Sequence, residues 1–330
     1  MSCHPLDHDR VGRAANTAAA SRGIVGKAKV TVGVAVYNGA ATLRRAVESI
    51  LHQTAGPCAI HISDDASSDN SADVAQTLAN EYDSVTLTRQ TSNLGPTGNF
   101  RFLLERANTE YFMWLAADDY LKPTYIERTM ACLDADPTLV ACVSHVCFVK
   151  PDGTTRLARG TYPLLADPET NLAVYFSDPS DNSRFYSLYR TEPLRAVFPH
   201  SHCHAFDWAA VAGTLRYGKH CQTPEVLMIR DETPAQNYIK AIPIDNRSAA
   251  ARIFPLAPMT RDLIFRQKIP LGMRVLKALL YINVEKHTEY MAAFHPQYMK
   301  ATKLIWYIWS RYIGWRLKTG QNAASVTVSI

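Results

Sequence analysis

The strongest constraint on the fold is an alternation of two hydrophobic periods between residues 29 and 149. Five short runs, "KVTVGVAVYN", "CAIHISDD", "SVTLTRQ", "EYFMWLAADD" and "LVACVSHVCFV", are apolar and mostly rich in β-branched or aromatic residues. That is the pattern of strands buried on both faces. Stretches of helical period separate them. In "GAATLRRAVESILHQ" the apolar positions are Leu43, Ala46, Val47, Ile50 and Leu51, one stripe of an amphipathic helix. A second helix runs to about Ala79 with Asp69 or Ser71 as its cap, and "GPTGNFRFLLERA" is a third. Pro123 opens the next, where its missing N–H costs nothing. This β-α-β-α order predicts an α/β fold, a mostly parallel central sheet with helices on both faces. In such sheets ligands sit beyond the carboxyl ends of the strands.

Two acid doublets fall at such ends: Asp64 and Asp65 after the second strand, Asp118 and Asp119 after the fourth. Neighbouring carboxylates repel each other unless something positive lies beside them. Mg²⁺ or Mn²⁺ suits that role, being hard cations that bridge carboxylates to phosphates. The alternative is a pair of solvated acids, one of them capping the helix at Pro123. No G-x-G-x-x-G follows the first strand and no P-loop occurs, so the common dinucleotide and P-loop readings lose their main support.

Four segments together resemble the family 2 glycosyltransferases of the A-type glycosyltransferase fold: "VAVYNGAATLRRAVESILHQT", "HISDDASSDNS", "SNLGPTGNF" and "YFMWLAADDYLKPTYIE". The resemblance runs from Val30 to about Tyr238. It implies a nucleotide-sugar donor, an inverting, metal-dependent, hexosyltransferase-like reaction, and a glycan or lipid-linked acceptor in polysaccharide, glycolipid or other glycoconjugate biosynthesis. By the resemblance Tyr37 contacts the nucleotide base, Asn38 completes the turn beside it, and Asp65 hydrogen-bonds the base. Asn93 and Gly95 form the N-x-G stretch. Asp118 lies near ribose and metal, and Asp119 is the direct metal ligand. Asp207 matches the acceptor-side acid, the candidate general base; its other reading is a helix N-cap. After Gly95 the commoner Ala-Arg-Asn group is absent, leaving Asn99 or Arg101 to face the donor. The late strand lacks the family's frequent histidine. Either Asp231 replaces it at the metal or Arg230 binds the diphosphate.

Rival readings are a nucleotide-sugar-binding protein without catalysis and a nucleotidyltransferase. The first sits poorly with Asp119 and Asp207 both present, the second with "VYNGAATLRR", a weak phosphate loop. The cluster "HSHCHAF" packs four ligand residues, His200, His202, Cys203 and His204, into five consecutive positions, too close to surround one zinc, and reads as an acceptor loop lined with imidazoles.

Composition sets off a mobile arm (1–28) and a basic, aromatic-rich helical C-terminal region (241–330); the resemblance implies that the part between is a catalytic domain (29–240), with a nucleotide-sugar half 29–150 and an acceptor half 151–240. Residues 251–318 carry 12 Lys and Arg against 3 Asp and Glu, whereas the whole chain is only +5. No nucleic-acid module coincides with these charges. The stretch 301–318 is helical in period and apolar over most of its circumference. It packs on the catalytic domain or on a partner subunit, as in a homodimer, or lies as a peripheral helix on an anionic membrane. Seven cysteines without a C-x-x-C pair, no signal-peptide pattern and no membrane-spanning run indicate a reducing, cytoplasmic setting, with the inner membrane face as the peripheral option.

Overall fold

The computed structural model describes residues 28–232, 251, 254–298, 304 and 307. The expected strands and helices form in order: β1 (Val30–Val36), α1 (Ala40–Leu51), β2 (Ala59–Asp64), α2 (Ser71–Glu81), β3 (Val85–Arg89), α3 (Gly95–Arg106) and β4 (Tyr111–Ala116). These strands run side by side as β3-β2-β1-β4, all parallel. Alternation along β4 explains the two covering layers. Tyr111, Met113 and Leu115 pack with α1 and α2 side chains such as Leu43, Val47 and Ala75, while Phe112 and Trp114 face Leu103 and Leu104 of α3. Gly33 of β1 is where α3 comes closest; a β-carbon there would stand 2.9 Å from that of Leu103.

Beyond β4 the sheet becomes mixed. The order continues β8-β6-β9-β5, where β5 (Tyr120–Leu121), β6 (Leu139–Val149), β8 (Leu188–Arg190) and β9 (Lys219–Asp231) include three antiparallel pairings, and β7 (Thr155–Leu157) adds a fourth on β6. β6 and β9 are parallel over their length. Between these strands lie α4 (Tyr125–Ala135), α5 (Pro168–Ser177), a 3₁₀ turn (Ser183–Tyr186), α6 (Thr191–Val197) and α7 (Phe206–Thr214).

Two boundaries differ from expectation. α4 starts at Tyr125 rather than at Pro123, because residues 120–121 pair with β9 and the Pro123 carbonyl accepts a hydrogen bond from the Thr54 amide. α2 runs past Ala79 to Glu81, and its N-cap is Asn70 rather than Asp69 or Ser71; Ser71 is the first helical residue and its amide donates to Asp69.

The C-terminal region contributes α8 (Ala257–Arg261) and the long α9 (Met273–Phe294), which packs against α5. Val275, Ala278, Leu279 and Ile282 are buried in the same cluster as Trp114, Phe176 and Trp208, so α9 shares a core with β4, α5 and α7. Residues 1–27, all but the last of the expected arm 1–28, and nearly all of the stretch 301–318 lie outside the described residues. No helix among the described residues is long and apolar enough to cross a membrane.

Candidate active site

The order β3-β2-β1-β4 reverses direction between β1 and β4, the switch point at which open α/β sheets leave a crevice at their carboxyl ends. Tyr37, Asp65, Asp118 and Asp119 all lie at that edge. Tyr37 is 56% exposed, a ring at the lip of the crevice. Asn38 adopts the left-handed conformation, φ 53°, which carries the chain out of β1 into α1. Its side-chain oxygen accepts from the Ser68 amide, and its own amide donates to the Ser67 hydroxyl. It therefore braces the first loop against the second.

Asp65 is buried, and its Oδ1 accepts from the Leu94 amide at 2.7 Å. Asn93 closes the same turn through its side-chain oxygen on the Gly95 amide, and Gly95 takes φ +71°, which favours glycine. The acid after β2 thus holds the N-x-G loop before α3. Burial raises the Asp65 carboxyl above its ordinary value, while the Leu94 and Gly95 amides pull it back. Asn99 is buried and donates to the Ser63 carbonyl, whereas Arg101 reaches away to the Pro199 carbonyl. Of these two, Asn99 is the residue directed toward β2.

Asp119 is 1% exposed and its Oδ2 accepts from Nε of Arg230 at 2.8 Å. Burial pushes its carboxyl up to about 7 against the pull of Arg230, and the nearby Asp118 and Asp231 add to the rise. Arg230 lies over the Tyr186 ring at 4.3 Å and is held protonated by Asp119 despite its own burial. Arg45 of α1 donates to the Asp118 carbonyl and to the Asp231 carboxylate at 2.8 Å. The three acids therefore face two arginines, leaving an excess of negative charge.

A divalent cation fits this donor set. The Asp118 carboxylate makes no hydrogen bond or ion pair among the described residues, and Asp119 commits Oδ2 to Arg230. Hard carboxylate oxygens and surplus negative charge are what Mg²⁺ or Mn²⁺ prefers. Asp231, the alternative ligand in sequence terms, likewise commits its Oδ2 to an arginine, Arg45.

Asp207 joins this centre through two adjacent residues. It lies in the first turn of α7, and its Oδ2 accepts from Nδ2 of Asn182 at 2.7 Å. Asn182 is itself fixed, with φ 47° and the buried Tyr175 hydroxyl on its side-chain oxygen. The next residue, Ser183, accepts from Nη1 of Arg230 at 3.5 Å. One dipeptide therefore touches the candidate base on one side and the Asp119–Arg230 pair on the other. Burial raises the Asp207 carboxyl, partly offset by the Asn182 hydrogen bond.

Sequence reasoning missed Arg45, Asn182, Ser183 and Tyr186. The histidine loop is also placed: Nδ1 of His202 lies 2.6 Å from the Thr97 hydroxyl on α3, and His204 is buried.

Residues 31–198, slightly more than half of the chain, match the family model for glycosyl transferase family 2. The chain belongs to this family. Asp207 and Arg230 fall beyond the matched segment, so their place in the site rests on geometry.

Relatives agree with the family. An uncharacterized glycosyltransferase of Nostoc sp., alr2836, is 26% identical over 309 residues, covering 90% of this chain and 92% of its own. The uncharacterized glycosyltransferase YibD of Escherichia coli is 32% identical over 121 residues, only 36% of this chain and 35% of that one. Among solved structures, S. aureus TarS 1-349 in complex with UDP superposes with a TM-score of 0.53 at 14% identity, covering 88% of this chain and 92% of that one. Against the longer TarS chain this glycosyltransferase spans 54% of its length. The mannosyltransferase PcManGT of Pyrobaculum calidifontis, solved with GDP-Man and Mn²⁺, gives 0.51 at 18% identity, with 89% and 84% covered. At these identities the structural likeness speaks for the A-type glycosyltransferase fold alone.

Proposed function

We propose that this family 2 glycosyltransferase moves a hexosyl group from a nucleoside-diphosphate sugar to a hydroxyl acceptor with inversion at the anomeric carbon. The observation that carries the reading is the Asn182–Ser183 link, which holds the single candidate base, Asp207, beside the Asp119–Arg230 pair. A carboxylate there takes the acceptor proton as the hydroxyl attacks, and its raised pKa suits it to the task. Asn182 orients that carboxylate. Tyr37 and Asp65 would receive the base end of the donor, and Arg230 would face the charge that develops on the departing diphosphate. Asp118 and Asp119 would hold Mg²⁺ or Mn²⁺, which when bound neutralises part of that charge.

Room for an acceptor opens at Trp208, the residue after Asp207 in α7; Asp207 itself does not line it. A cavity of about 930 Å³ lies between the loop 177–181, the start of α7 and α9, lined by Trp208, Tyr281, Arg156, Asp181 and Lys286. Mixed charge with two aromatic faces suits a sugar better than an apolar molecule. Donor turnover in the presence of Mn²⁺ or Mg²⁺, with the product's anomeric configuration read by NMR, tests the proposal. Inverted product is expected. Retention of configuration, or no donor turnover with any nucleoside-diphosphate sugar, overturns it.

The same reading places the protein in the cytoplasm, with its C-terminal region against the inner face of a membrane. Leu304 and Tyr307, the described residues of the stretch 301–318, are exposed, and that stretch carries Lys303, Arg311, Arg316 and Lys318. Apolar side chains with surrounding Lys and Arg are the usual features of in-plane attachment to anionic lipid. Flotation with phosphatidylglycerol vesicles should carry the full chain upward and leave a chain ending at Pro296 behind, still folded. If the full chain ignores vesicles and the shortened chain aggregates, the tail packs on protein and the membrane reading fails.

A further inference from the structure

Three cysteines distant in sequence meet on the side of the sheet covered by α4. Cys132 lies on α4, Cys142 on β6 and Cys221 on β9, and their sulfurs all lie within 4.8 Å of one another. The fold fixes this meeting twice over. Cys142 and Cys221 are register partners on adjacent parallel strands, so their side chains leave the same face of the sheet. α4 packs across β6 and β9 and brings Cys132 down on the pair. Cys142 is buried; Cys132 and Cys221 are half-buried, so one side of the cluster opens toward solvent.

The cluster is separate from the active site. Cys142 lies near the start of β6, seven residues before Val149, which pairs with Asp231 at the cleft end of β9. At about 3.3 Å per strand residue that is roughly 20 Å from the acids of the crevice.

We propose that Cys132, Cys142 and Cys221 form a tri-thiolate site for a soft d¹⁰ cation such as Zn²⁺ or Cd²⁺. Three thiolates around such an ion at about 2.3 Å stand roughly 4 Å apart, which the cluster meets with small side-chain adjustment. Each thiol gives up its proton to water as its sulfur bonds the metal, and solvent on the half-buried side completes the coordination. Sulfur ligands select this class of ion over Mg²⁺ and Mn²⁺, which prefer oxygen. Occupation would fasten α4 to β6 and β9. The competing chemistry is a Cys142–Cys221 disulfide, which two neighbouring strands also permit but which leaves the third thiol unused.

The test uses the full chain, reduced and freed of metal with a chelator that is then removed. Titration with Cd²⁺ should raise the ultraviolet thiolate-to-cadmium charge-transfer band to an end point of one ion per chain, also when the site is first loaded with Zn²⁺, which the softer ion displaces. Cys132→Ser, Cys142→Ser and Cys221→Ser should each weaken binding at least tenfold, while Cys58→Ser, buried elsewhere, should leave it unchanged. Should Cys142→Ser fail to fold, the half-buried Cys132→Ser carries the same comparison. The proposal is overturned if the fully reduced chain shows no stoichiometric band, if the band survives Cys132→Ser, or if mass spectrometry of non-reduced protein finds a Cys142–Cys221 disulfide.

Discussion

Asp207→Asn should lower turnover by roughly 10²- to 10⁴-fold while leaving donor affinity nearly unchanged, the usual scale for loss of a general base. The amide keeps the shape and the Asn182 contact region but cannot take the acceptor proton. A pH profile sharpens the expectation. The base must be ionised to act, so turnover of the parent protein should fall as pH drops through a carboxyl pKa held above its ordinary value by burial. That acid limb should be missing from the residual rate of Asp207→Asn. Asn182→Ala removes the hydrogen bond that favours the ionised form, so the limb should move to higher pH. Steady-state kinetics with saturating donor measure all three. Full activity in Asp207→Asn would send the search for the base elsewhere.

What the sequence made legible follows from how locally each feature is encoded. The stripe Leu43, Ala46, Val47 and Ile50 is buried as its period requires, and β6 has the limits its apolar run suggested. The acids at the ends of β2 and β4 were readable because a parallel sheet dictates where its carboxyl ends open. Strands β5 and β8 were not, since two or three residues carry no period and exist only by pairing with β9, β4 and β6. The choice between Asn99 and Arg101 also needed coordinates. Two positions apart on a helix point to nearly opposite sides, and only packing says which side meets β2. Arg45 is the hardest case. In sequence it is one of two arginines on an amphipathic helix; its role arises because β9, 186 residues away, ends with Asp231 against it. Asn182 and Ser183 act through a left-handed turn with no sequence signal beyond an ordinary polar loop.

Asp119→Ala and Arg230→Met should separate the two positive charges the site uses. Asp119→Ala removes a candidate ligand, so the Mn²⁺-stimulated part of nucleoside-diphosphate binding should vanish in calorimetric titrations. Arg230→Met should keep that stimulation and lose the affinity measured without metal, if the guanidinium meets the diphosphate. Stability tells the partners apart independently. Removing Asp119 leaves a largely buried guanidinium that cannot shed its proton, a loss of about 3–5 kcal/mol near neutral pH that does not fade as pH falls. Removing Arg230 leaves a carboxyl that can neutralise itself. Its folded-state pKa, already raised to about 7, would rise further without the arginine. A raised folded pKa means that the penalty is absent below the ordinary carboxylate range and accrues as pH rises through the folded value. In chelated buffer, then, the destabilisation by Arg230→Met should shrink between pH 7 and pH 5, whereas that by Asp119→Ala should not. Denaturant unfolding at the two pH values measures the difference. Equal pH dependence in the two variants would mean that Asp119 is ionised in the folded protein for reasons other than Arg230. The ion pair would then not be the organising contact of the site.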